Sequence, residues 1–217
     1  MKKALAIAAA GILATAGLAA PSAAQRGYEQ AREWTIGPIV RGRNMSVGAP
    51  LHPVRARGGA AIDFPYPNVN AGHVHYVTRP VRSLAGARSI TLRYRVDAAP
   101  GTRFVSRQGG GPGMISLFLQ RRGDNWSGRG PYAHYRWYSP PSSVAALRPG
   151  THTMTVRLDD NWGGVMGGRR GQFPREFADA LASADQVGIT LGSARARGHG
   201  VYATGPATLT ILDFDIR

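Results

Sequence analysis

Two copies of the tripeptide Asp-Asn-Trp contain residue types that suit a binding site. One copy lies in the segment 123–128 and the other in the segment 159–164. An indole ring can stack on the apolar face of a sugar, while carboxylate and amide groups bind the sugar hydroxyls. The repeat therefore predicts a saccharide site built from Asp124, Asn125, Trp126, Asp160, Asn161 and Trp162. The alternative is that these loops are ordinary turns and that both tryptophans fold back onto the core.

A second group of polar and aromatic residues runs from Tyr132 to Tyr138. If this stretch is a strand, Tyr132, His134, Arg136 and Tyr138 share one face, because side chains alternate along a strand. We predict that His134, Arg136 and Tyr138 extend the sugar platform and that Tyr135 and Trp137 pack inward. The same residues suit a polysaccharide lyase, in which Arg136 neutralises a uronate carboxylate and His134 and a tyrosine exchange protons. A solvated strand face is the alternative.

Other catalytic and metal-binding patterns are weak in this sequence. It contains no cysteine and no Gly-x-Ser-x-Gly nucleophile motif. His73 and His75 would lie on one side of a strand, but no third ligand follows at a fitting spacing, so we predict no metal site there. We expect no cofactor, although Asp213 or Asp215 on the last strand could help to hold a structural calcium ion.

Short strands separated by turns must position these residues. The segment 90–96 shows the pattern most clearly, because apolar and polar side chains alternate as in a half-buried antiparallel strand. We predict strands at 60–64, 73–78, 89–97, 114–121, 133–138, 152–158, 186–191 and 207–216, and one short helix at 174–184. This pattern predicts an all-β protein, an antiparallel β-sandwich of jelly-roll type with one short helix.

The amino terminus has the features of an export signal. Lys2 and Lys3 precede an apolar run, and small residues precede a predicted cleavage point after Ala24. The alternative, a membrane anchor, is less consistent with so short a run. We therefore predict a signal peptide at 1–24, an irregular lead-in at 25–58 and a sandwich domain at 59–217, with a periplasmic or secreted mature chain that has no transmembrane segment.

The charge of the chain favours acidic partners. The sequence has 27 basic and 12 acidic residues, and after Lys2 and Lys3 every basic residue is arginine. Planar guanidinium groups suit carboxylate, sulfate and phosphate. Because the arginines are scattered, compositional drift explains them equally well. No nucleic-acid-binding motif is present, so we predict no nucleic-acid partner. We predict instead a polysaccharide or oligosaccharide partner, either neutral or acidic.

The carboxy-terminal part resembles the galactose-binding-like jelly rolls found in many carbohydrate-binding modules. The resemblance extends over roughly residues 85–217 and rests on the segments 149–156, 187–192, 198–201 and 208–214. It implies a sugar-facing function and a structural calcium ion near the last strand, which maps onto Asp213 or Asp215.

Together these observations predict an exported, non-catalytic polysaccharide-binding protein. One alternative is a polysaccharide lyase, or another glycan-active enzyme, acting on an acidic glycan. Another alternative is a basic structural or interaction protein of the cell envelope, whose arginine-rich surface meets anionic lipid headgroups or surface polymers.

Overall fold

The computed structural model describes residues 31–217, so the predicted signal peptide lies outside the described residues. Within this range the strands are β1 (Thr35–Gly37), β2 (Ile39–Val40), β3 (Arg43–Asn44), β4 (Val54–Ala56), β5 (Gly59–Asp63), β6 (Tyr76–Pro80), β7 (Ser89–Ala98), β8 (Phe104–Ser106), β9 (Met114–Arg121), β10 (Arg136–Tyr138), β11 (Ala145–Ala146), β12 (Gly150–Arg157), β13 (Gly163–Gly164), β14 (Ala184–Gly192), β15 (Val201–Ala203) and β16 (Ala207–Ile216). The helix α1 runs from Pro174 to Ala182.

Two antiparallel sheets face each other as a sandwich. The five-stranded sheet has the order β12-β7-β16-β5-β4, and the seven-stranded sheet has the order β1-β6-β14-β9-β10-β13, with β11 paired to β9. Along the chain, β5, β6, β7, β9, β10, β12, β14 and β16 pass from one sheet to the other at each step except between β9 and β10, which are neighbours in one sheet. As a result, β5, β7, β12 and β16 lie opposite β6, β9, β10 and β14. This alternation is the strand order of a jelly roll. The predicted fold class is therefore confirmed.

Burial along the strands distinguishes the two sheets. In β7 of the five-stranded sheet, buried and more exposed residues alternate, as expected for a sheet with one solvated face. In β9 of the seven-stranded sheet, the six residues from Ile115 to Gln120 are all buried. Ile115, Leu117 and Leu119 belong to the main core, so Ser116, Phe118 and Gln120 are buried on the opposite face. That opposite face must be covered by loops.

The helix α1 closes one end of the core. Its Phe177 is buried and makes an edge contact with Trp137, with the ring centroids 4.9 Å apart. Pro174 occupies the first turn, where its missing N–H breaks no helical hydrogen bond. The helix ends at Ala182, slightly before the predicted end, because the chain enters β14 at Ala184. No helix within residues 31–217 is long and apolar enough to cross a membrane.

The segment predicted as an irregular lead-in contributes to the sandwich. β1 pairs with β6 at the edge of the seven-stranded sheet, and β4 pairs with β5. Trp34 and Ile36 are buried in the main core. Residues 34–56 are therefore part of the same unit as the rest of the described chain, since strand pairing and core burial join them to it.

Replacing a core leucine tests this assignment of the interior. Leu117→Ala removes a fully buried side chain and should lower the free energy of unfolding by about 2–5 kcal/mol. Leu51→Ala makes the same chemical change at a side chain that is 46% exposed, and we expect a change within about 0.5 kcal/mol. Urea unfolding followed by tryptophan fluorescence measures both values. Equal losses in the two variants would contradict the assignment.

Candidate functional site

The outer face of the seven-stranded sheet carries an aromatic and polar cluster. Here the outer face is the one turned away from the main core, and it includes Tyr76, Phe118, Gln120, Arg136 and Tyr138. The register sets Arg136 opposite Gln120 and Tyr138 opposite Phe118, so these side chains are neighbours across β9 and β10. All five residues are buried although they lie outside the main core. Two loops, 122–130 and 193–200, lie against this face.

A buried ion pair anchors the first loop. Arg136 Nε lies 2.8 Å from Asp124 Oδ2, and the side chains are 8% and 0% exposed. Gln120 Nε2 donates to Asp124 Oδ2 at 2.9 Å, and Asp124 Oδ1 accepts from the Trp126 backbone N–H at 3.1 Å. These partners occupy both carboxylate oxygens. Asp124 and Arg136 therefore hold the loop in place, and the prediction that Asp124 binds sugar hydroxyls directly is wrong for this arrangement.

Trp126 is held over the outer face in an unfavourable backbone conformation. Its φ of +65° lies in the left-handed region, which bulky residues rarely adopt. The indole stacks on Phe118, with the centroids 6.4 Å apart and the planes at 17°, and the Tyr76 ring makes an edge contact at 5.3 Å. The Arg136 guanidinium lies 4.9 Å from the centre of the indole. Such strained conformations cluster at ligand-binding sites, where surrounding contacts maintain them.

Trp126 lines a pocket of about 370 Å³ at the edge of this cluster. The indole is only partly buried, unlike Phe118 beneath it. Side chains that can form hydrogen bonds surround the ring. The neutral ones belong to Thr35, Tyr76, Thr78, Gln120 and Gln186, and the charged ones belong to Arg121, Asp124 and Asp185. An aromatic ring beside hydrogen-bond donors and acceptors is the composition that a sugar site requires.

A second pocket, of about 540 Å³, lies on the other side of the two tyrosines. The Tyr76 and Tyr138 hydroxyls are 2.8 Å apart, and Tyr138 lines this second pocket whereas Tyr76 lines the first. Burial raises the pKa of both phenols, so both remain protonated at neutral pH. Three of the other lining side chains are cationic, those of Arg169, Arg195 and Arg197, and none is acidic.

The second Asp-Asn-Trp copy has a structural role. Trp162 is 0% exposed, its Nε1–H donates to the Arg157 carbonyl at 2.9 Å, and its ring packs 6.1 Å from Phe177. Asp160 Oδ2 accepts from the Arg157 N–H, and Asn161 Oδ1 accepts from the Gly171 N–H. The prediction that Trp162 stacks on a sugar is therefore wrong, because its ring is enclosed in the core. Asp160 instead closes a turn, and Asn161 joins its loop to the segment at Gly171.

Neither Asn125 nor His134 joins the cluster on the outer face. Asn125 Oδ1 accepts from the Ser127 N–H at 2.9 Å, so this amide stabilises the loop.

Residues Gly130–His134 form a 3₁₀ helix, and the strand begins only at Arg136. The expected alternation is lost, and the His134 ring packs 4.4 Å from Phe173. The lyase residues His134, Arg136 and Tyr138 are thus not assembled, whereas Trp137 is in the core as predicted.

The two histidines near β6 also lie close to the site. His73 and His75 are buried, with their rings 4.6 Å apart, and His75 Nδ1 lies 2.8 Å from the Gly198 carbonyl. Within residues 31–217 no group of three or more histidine or carboxylate side chains is arranged to hold a metal ion. Asp213 is exposed, and Asp215 pairs with Arg217. Calcium near Asp213 or Asp215 stays a prediction.

Several residues of the site were not identified from the sequence. Tyr76 is the largest of them, and it stands in a predicted strand whose register with β14 was unknown. Arg169, Arg195 and Arg197 lie in glycine-containing loops. The only signal in the sequence was their charge, which the other scattered arginines share.

The ion pair should contribute strongly to stability. Asp124→Ala leaves Arg136 buried without its carboxylate, so we expect a loss of about 3–5 kcal/mol in the free energy of unfolding. Asp97→Ala breaks the exposed pair with Arg95 and should cost no more than about 1 kcal/mol. Urea unfolding of both variants measures the difference. A loss below about 1 kcal/mol for Asp124→Ala would show that the pair does not hold the loop.

Acid should destabilise the protein through His75. Burial lowers the pKa of this imidazole to about 4, and the charges of His73, Arg107 and His199 act in the same direction. Because the unfolded chain takes up a proton near pH 6.5 and the folded chain does not, stability should fall from pH 7 to pH 4, by up to about 3 kcal/mol. Unfolding free energies measured across this range report the slope.

Two histidine variants show which residue causes the dependence of the unfolding free energy on pH. His75→Gln should flatten it, whereas His152→Gln, at a partly exposed histidine on β12, should leave it intact. A slope that is unchanged in His75→Gln would mean that other groups control the acid response.

Comparison with models of known protein families gave no match, and comparison with curated proteins gave none either. The function must therefore be argued from the chemistry of the site.

Proposed function

We propose that this protein is an exported, non-catalytic polysaccharide-binding protein whose ligand lies against Trp126 on the outer face. The observation that carries the proposal is the conformation of Trp126, a bulky residue kept at φ +65° at the wall of a pocket of about 370 Å³. A turn alone would not require a tryptophan at such a position, because glycine or asparagine adopts this conformation with less strain.

The contacts beneath the indole support a binding role. Phe118 and Arg136 both project from the outer face and contact the ring, so the sheet fixes its orientation before any ligand arrives. A preorganised aromatic platform loses little conformational entropy on binding. Around it, Thr78, Gln120 and Gln186 line the pocket with groups that match sugar hydroxyls.

The positions of the remaining candidates favour binding over turnover. The lyase alternative needs His134 beside Arg136 and Tyr138, and His134 instead packs against Phe173 on the far side of β10. The Arg136 guanidinium is already paired with Asp124. The jelly-roll strand order is compatible with a relationship to carbohydrate-binding modules, which we propose on the basis of the sequence resemblance.

Affinity electrophoresis tests the proposal directly. The purified protein is run through gels that contain neutral polysaccharides (xylan, galactan and β-glucan) or acidic ones (alginate and polygalacturonate). We expect at least one polymer to retard it, and Trp126→Ala should weaken that affinity at least tenfold, which equals about 1.4 kcal/mol. Trp162→Phe is the matched control, because it alters a buried tryptophan and should leave the affinity unchanged.

Two outcomes would overturn the proposal. One is the absence of retardation by any polymer. The other is retardation by acidic polymers that moderate salt abolishes and that Trp126→Ala does not alter, which would favour the cell-envelope alternative instead. Circular dichroism of each variant establishes that a loss of affinity does not reflect unfolding.

A further inference from the structure

The second pocket on the outer face concentrates positive charge. It measures about 540 Å³, and Arg169, Arg195 and Arg197 line it together with His199 and the Tyr138 ring. None of its lining residues, which all fall between 138 and 199, is acidic. Among the described residues, no carboxylate forms an ion pair with any of these three arginines. Elsewhere in the protein several arginines do have such partners.

Contacts with β10 and β13 position two of the guanidinium groups. Arg197 donates to the Ser139 carbonyl, and its guanidinium lies 6.0 Å from the centre of the Tyr138 ring. Arg169 pairs through its backbone with Gly163, which stands opposite Tyr138 in the register of β10 and β13. A side-chain carbon at Gly163 would lie only 3.1 Å from Arg169 Nη1, so the glycine leaves room for this guanidinium. The Arg197 guanidinium thus lies over the Tyr138 ring, and the Arg169 guanidinium lies beside Gly163 on the neighbouring strand.

The proximity of Arg169 and Arg197 is electrostatically unfavourable. Burial lowers the pKa of the Arg197 guanidinium, and the charge of Arg169 lowers it further, so each cation destabilises the other. A guanidinium group stays charged in proteins, and it binds carboxylate and sulfate through paired N–H groups. An anion bound among these arginines would offset the repulsion and accept hydrogen bonds from guanidinium N–H groups.

We propose that this pocket binds the acidic group of a saccharide unit, a uronate carboxylate or a sulfate ester. The inference rests on the proposed function and deepens it, because the same polysaccharide would contact Trp126 with one unit and the arginines with another. Tyr76 lines the first pocket and Tyr138 lines the second, and the hydrogen bond between their hydroxyls joins the walls of the two pockets. Trp126 then supplies affinity for the sugar ring, and the arginines select for charge.

The test compares each acidic polymer with its neutral counterpart at constant ionic strength. Alginate and polygalacturonate are paired with their carboxyl-reduced forms, and dextran sulfate is paired with dextran. We expect the acidic member of at least one pair to bind at least tenfold more tightly. Retention of a uronate polymer identifies the group as a carboxylate, and retention of dextran sulfate alone identifies it as a sulfate ester.

Single arginine variants then locate the selectivity. Arg169→Gln and Arg195→Gln should each reduce the affinity for the acidic polymer severalfold and leave the affinity for its neutral form unchanged. Arg55→Gln removes the same charge from an exposed position on β4, away from this face, and should change neither affinity.

The failure of this inference is distinguishable from the failure of the proposed function. If polymers bind in a Trp126-dependent manner but acidic and neutral members bind equally, the function stands and the acidic selectivity is wrong. The selectivity is also wrong if Arg55→Gln has the same effect as Arg169→Gln and Arg195→Gln, because overall charge would then explain it. If no polymer binds, both proposals fall.

Discussion

The buried pair between Asp124 and Arg136 is the interaction on which the site depends. Transferring two charges from water into a protein costs several kcal/mol per ion, and this cost is recovered only when geometry and additional hydrogen bonds are good. Here Gln120 and the Trp126 backbone satisfy the remaining acceptors of Asp124. The pair therefore ties the loop to the sheet directly beside Trp126.

Two loops cover the outer face of the seven-stranded sheet and shield its aromatic side chains from water. Phe118 and Tyr76 would present aromatic area to water, which the loop carrying Trp126 and the loop carrying Gly198 prevent. A side chain at Gly198 would overlap the Tyr76 hydroxyl, so only glycine allows the backbone to pass so closely. The hydrogen bond between His75 and the Gly198 carbonyl ties this loop to the chain just before β6. Between the two loops the face retains two pockets of different polarity.

The two Asp-Asn-Trp copies show how far local sequence constrains a role. In both copies an aspartate or asparagine oxygen accepts from a nearby backbone N–H, as expected for residues that favour turns. The tryptophans nevertheless have different environments, because the first loop follows β9 in the seven-stranded sheet and the second follows β12 in the five-stranded sheet. The second loop folds under α1 against Phe177, whereas the first folds outward over Phe118.

The sequence alone determined the fold class, most strand positions and the short helix at Pro174–Ala182, because side-chain alternation and turn residues are local signals. It also named Trp126 and Tyr138 as candidate binding residues, since aromatic residues beside turns are visible without a structure. Only the tertiary structure decided which tryptophan is buried and that Asp124 pairs with Arg136. The same holds for Arg169, Arg195 and Arg197, which converge from separate loops. Those outcomes depend on which sheet each strand joins and on the register between strands, and contacts between distant parts of the chain set both.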